Sequence, residues 1–207
     1  MRAFLVGVPL AWGVLLLFHP TGDGDDFYPV VADEVTPWLI VHVGTLVFVP
    51  LMALVVYLLL RDVEGTAARI SRIALVPFVI FYTAFETLIG IGTGLFADEL
   101  NGLPAGEEAV GAQAVEGFTD SGVIMAFELI GTGALVVALI AAGVALRQAR
   151  APLAVPFLLG LAAIPIAWHV PPFGQVGLAL FIVGALLAVR TRSPSATAAR
   201  AAPVAAR

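Results

Sequence analysis

The chain has 207 residues, 60% of them apolar and only 12% charged, with a net charge of −5 and a mean hydropathy of +1.03. A water-soluble domain carries about twice that charged fraction, so a soluble globular fold is excluded. Cysteine is absent, which removes disulfides, thiolate metal sites and cysteine nucleophiles.

The apolar residues fall in runs long enough to cross about 30 Å of hydrocarbon at 1.5 Å per residue. They predict an all-α, polytopic membrane protein with six transmembrane helices in one bundle, a single domain over residues 1–190. The spans read as 3–19, 38–60, 73–97, 122–146, 153–170 and 174–190. Arg2 followed by the apolar stretch Ala3 to Phe18 resembles a signal peptide, but Phe18-His19-Pro20-Thr21-Gly22 offers no small-x-small cleavage site. The first span is therefore expected to be retained.

The loop at 20–37 is rich in turn residues (Pro20, Gly22, Gly24, Pro29) and ends in Thr36-Pro37-Trp38, which suits the interfacial head of a span. The loop at 98–121 has a helical alternation of apolar residues and carboxylates that predicts a surface helix near 105–117. Asp120 and Ser121 then offer a cap for the fourth span. Val170-Pro171-Pro172-Phe173 predicts a tight turn that folds the last two spans into a hairpin. Residues 191–207, made of Ala, Pro, Ser, Thr, Val and Arg, read as a disordered basic tail on the anionic inner leaflet.

Loop charge sets the orientation. All ten basic residues are arginines: Arg2, Arg61, Arg69, Arg72, Arg147, Arg150, Arg190, Arg192, Arg200 and Arg207. All lie on one side of the spans, and the positive-inside rule makes that side and both termini cytoplasmic. The opposite loops hold eleven of the fifteen carboxylates and no arginine. A multi-pass cell-membrane protein is expected, N-in and C-in, whose partners are the bilayer and anionic inner-leaflet lipids. Nucleic acid is not expected, and a homo-oligomer is left open.

The third and fourth spans share a phrase, Ala84-Phe85-Glu86-Thr87-Leu88-Ile89-Gly90 against Ala126-Phe127-Glu128-Leu129-Ile130-Gly131. A three-plus-three inverted duplication would not pair these spans, so no repeat is inferred. What the phrase does bring out is two glutamates inside the membrane. A carboxylate near mid-bilayer costs at least ~2.5–3.5 kcal/mol and normally faces the bundle interior with a partner. Glu86 shares a helical stripe with Tyr82, Thr83, Gly90, Thr93 and Gly94, and Glu128 shares one with Ser121, Met125, Gly131 and Thr132. Rise per residue places Glu86 about 16 Å, Glu128 about 9 Å and His42 about 6 Å inside the outer ends of their spans. His19 ends the first span and His169 nearly ends the fifth, while Trp12, Trp38 and Trp168 add aromatic walls.

A structural reading covers the same residues. The helix dipole favours histidine at a C-terminus, which accounts for His19 and His169. His42 then sits at the interface, and protonated Glu86 and Glu128 link helices as hydrogen-bond donors. The functional readings start from the gathering of these groups in the outer half. Neutral imidazoles with carboxylates suit a metal ion, and facing histidines suit a haem. Glu86 and Glu128 alternatively serve as proton carriers in coupled transport of a small solute or ion. Thr119-Asp120-Ser121-Gly122 is similar to the serine motif of six-span rhomboid proteases only in part. That family needs G-x-S-G and a histidine in the last span, both missing here, so Ser121 reads as a helix cap and catalysis is not indicated. The preferred expectation is a pocket lined by His42, Glu86 and Glu128, rimmed by His19 and His169, that binds a metal ion or haem. Transport comes second, and an accessory subunit without its own chemistry third.

Overall fold

The computed structural model describes residues 2–22 and 27–191, so all but the first residue of the predicted 191–207 tail lies outside the described residues. Among the described residues the fold is wholly helical. Helix α1 (Arg2–Phe18) closes in a 3-10 turn, and α2 (Phe27–Asp33) is a short segment that the turn-rich composition of its loop conceals. Helix α3 (Val35–Leu59) leads to α4 (Thr66–Leu100), α5 (Ala105–Thr119), α6 (Gly122–Gln148), α7 (Ala154–Trp168) and α8 (Phe173–Arg190). Helices α3, α4, α6 and α8, of 25, 35, 27 and 18 residues, are long and apolar enough to cross a membrane. Helices α1 and α7, the first and fifth predicted spans, are equally apolar but shorter.

Local chemistry sets the boundaries. Gly65, with φ of +108°, turns the chain into α4, a conformation costly for any residue with a Cβ. The Ser121 hydroxyl accepts from the Ile124 N–H at 3.4 Å and caps α6. Arg72 donates to the Leu60 and Val63 carbonyls at 2.6 and 2.9 Å and ties the turn after α3 to α4. Helix α7 stops at His169, which adopts the left-handed region with φ of +31°.

The six longer apolar helices close into a ring. Helix α1 packs on α3, α3 on α4, α4 on α6, α6 on α7, α7 on α8, and α8 returns to α1. The main core fills this ring with Trp12, Met52, Phe78, Leu135, Leu146 and Phe181 among its fully buried side chains. A second, smaller apolar cluster of Tyr28, Val31, Trp38, Ala97 and Val115 joins α2, α5 and the end of α4 over the opposite end from the arginines. The Tyr28 N–H donates to Glu116 at 2.6 Å and ties α2 to α5. The gap between the two clusters is where the histidines meet.

Helix α4 carries two π segments, Phe78–Tyr82 and Glu86–Gly92. Tyr82, Glu86 and Gly90 are buried at every fourth residue, a wider spacing than the 3.6 of an α-helix. The π turns supply the difference and hold this one polar stripe on the inner face.

Candidate metal centre

Three imidazoles from three helices converge here. His19 leaves the 3-10 turn at the end of α1 in an extended conformation, and its Nδ1 pairs with the Pro20 carbonyl at 2.7 Å. His42, in the second turn of α3, pairs its Nδ1 with the Trp38 carbonyl one turn back at 2.8 Å. His169 is turned inward by its left-handed backbone, and its Nδ1 lies 2.9 Å from the Tyr82 hydroxyl oxygen. Tyr82 gives its single proton to the Ala167 carbonyl, so its oxygen accepts from His169 Nδ1–H. Assigned from these bonds, every Nδ1 carries the proton and every Nε2 keeps its lone pair. The His169 Nε2 is buried and has no hydrogen-bond partner.

The rings form a nearly even triangle, with centroids 5.1 Å apart for His19–His42, 5.3 Å for His19–His169 and 5.8 Å for His42–His169. One ligand nitrogen from each lies within 4.8 Å of the others. A point equidistant from three atoms at that limit is about 2.8 Å from each, so an inward shift of less than about 1 Å reaches the 2.0–2.1 Å of an imidazole–zinc bond. The same triangle argues against haem, because a macrocycle held between two of the rings would occupy the place of the third.

Glu86 adjoins this triangle. Its side chain is fully buried, with Oε2 3.9 Å from His42 Nε2 and Oε1 3.6 Å from His169 Nδ1. Neither oxygen has a hydrogen-bond partner. Trp38 roofs the group, its ring 4.1 Å from His42 and 5.2 Å from His19, and donates from Nε1 to the Gly90 carbonyl at 2.6 Å. A Cβ at Gly90 would stand 2.2 Å from His42 Cδ2, so only glycine lets α4 approach this close to the ring.

Glu128 is not brought into the group. It is exposed, and makes no hydrogen bond or ion pair among the described residues. The cause lies in α6, whose outer turns leave Val123, Met125, Leu129 and Ile130 uncovered, so the inward stripe through Ile124 and Gly131 is open at Glu128. Of the three tryptophans, Trp12 lies deep in the core bonded to Thr45, and Trp168 is exposed against Phe173. Tyr82, which fixes the His169 tautomer, carries no sequence signal beyond its place on the Glu86 stripe. Comparison with protein families, curated proteins and solved structures finds no match to this chain.

Proposed function

We propose that this is a six-span membrane protein that binds a metal ion through His19, His42 and His169, near the outer face of the bundle. The observation that supports it is three buried imidazoles, each with Nδ1 tied to an oxygen, and the buried Nε2 of His169 without a hydrogen-bond partner. That is the orientation carbonyl and hydroxyl partners give to metal-ligating histidine. Leaving the His169 Nε2 buried and unpaired costs about 1–3 kcal/mol, and an ion offsets that cost. The proposal includes α1 and α7 as short spans of one domain over residues 1–190, with both termini on the cytoplasmic side. The arginine-bearing ends of the helices lie away from the histidines, in keeping with that orientation. The bilayer, anionic inner-leaflet lipids for the basic tail, and a second copy of the chain remain its proposed partners.

The first test is metal content. Protein purified in detergent without chelator is expected to carry one ion per chain, and His42→Ala or His169→Ala to lose it while eluting as monodisperse protein. The reading fails if wild-type protein is metal-free and gains neither ion nor thermal stability on addition of Zn(II), Cu(II) or Fe(II).

Proton-linked transport is the second reading, favoured by the π segment that starts at buried Glu86, since π turns concentrate at functional sites. It predicts solute flux in proteoliposomes that Glu86→Gln abolishes. A chain with neither ion nor flux is left with a structural role.

A further inference from the structure

We propose that Glu86 supplies the fourth ligand, closing the centre as three imidazole nitrogens and one carboxylate oxygen around a divalent, zinc-type ion. This rests on the three-histidine reading and adds the coordination number, the class of ion and the closed character of the site. Glu86 Oε2 lies 3.9 Å from His42 Nε2, on the ligand side of that ring, while its Oε1 lies 3.6 Å from the protonated Nδ1 of His169. Both its oxygens are buried without a partner, a state whose desolvation cost a cation removes directly.

Charge points the same way. Three neutral imidazoles leave the full +2 of a divalent ion uncompensated in an apolar bundle, and one carboxylate halves it. Among the described residues no arginine forms an ion pair with Glu86: Arg72 and Arg147 serve carbonyls at the far end of the bundle, and Arg61 pairs with Asp62. The backbone fixes Glu86 in place, because the π segment begins at this residue and Gly90, four residues on, is pinned by Trp38. An oxygen donor with a negative charge favours a hard or borderline divalent ion over soft Cu(I), which three nitrogens would suit by themselves. Four protein ligands also fill a tetrahedral shell and leave no position for water, as in sites that hold an ion and not in those that hydrolyse with one.

The test is zinc titration of the full-length protein in detergent, with infrared difference spectra recorded on zinc addition. Glu86→Gln is expected to weaken zinc more than about 100-fold, since losing a partner one shell further out already costs about 10–100-fold. It should also erase the zinc-induced shift of the carboxylate band and narrow the preference for Zn(II) over Cu(I). Glu128→Gln should leave affinity and band unchanged. Wild-type affinity in Glu86→Gln, or a carboxylate shift that persists in it, overturns the fourth ligand and leaves the histidine site standing. A wild-type chain that takes no zinc overturns both. Should Glu86→Gln not fold, the wild-type spectrum decides, because zinc binding without a carboxylate shift refutes the proposal.

Discussion

Gly90 shows how much of the centre depends on a residue with no chemistry of its own. An added Cβ there meets Cδ2, Cγ and Cβ of His42 at 2.2, 2.4 and 2.6 Å, and a ring held by its own backbone bond cannot yield. Gly90→Ala is therefore expected to cost about 1–3 kcal/mol in thermal unfolding and to weaken ion binding by displacing His42. At Gly94 a Cβ meets Leu39 Cδ2 at 2.6 Å and Trp38 Cδ1 at 2.9 Å without touching His42, so Gly94→Ala should weaken ion binding less than Gly90→Ala. Equal effects of the two would show that His42 is not what Gly90 accommodates. The histidines and Glu86 stood out in the sequence because ionisable groups are so scarce in these spans that each one needs an explanation. Glu128 carried the same signal, yet the structure leaves it exposed. Its phrase is almost that of Glu86, and the difference lies in which face of α6 the neighbouring helices cover, which no local pattern records.

The helices themselves were legible wherever hydropathy alone decides them. Ser121 as a cap, a surface helix at Ala105–Thr119, and the four long apolar helices all follow from composition and spacing. The π segments did not, because a widened turn differs from an α-turn in register and not in residue type. Helix α2 was hidden by the turn residues around it. At the arginine end, Arg72 of α4 caps the Leu60 and Val63 carbonyls of the turn that follows α3. Arg72→Ala should destabilise the protein by about 1.5–3 kcal/mol, the range for hydrogen bonds from a charged donor. Thermal unfolding in detergent measures it, and a change within about 0.5 kcal/mol, typical of an unconstrained surface site, would deny the cap its role.

For the molecule as a whole, the segregation of arginines from histidines predicts an orientation that can be checked on a clean background, since the chain has no cysteine. A single cysteine at exposed Gln113 is expected to react with a membrane-impermeant maleimide on intact cells. Cysteines at exposed Glu64 or Ala149 should react only after permeabilisation. The reverse pattern would place the histidines at the cytoplasmic face. The ring of helices also has a consequence in time. The three histidines lie at positions 19, 42 and 169, and the last helix closes the ring by packing against the first. During synthesis most of the chain must be made and inserted before the third imidazole exists. Until then His19 and His42 form at most half a claw. On the proposed reading, the complete ion site exists only once assembly is nearly finished.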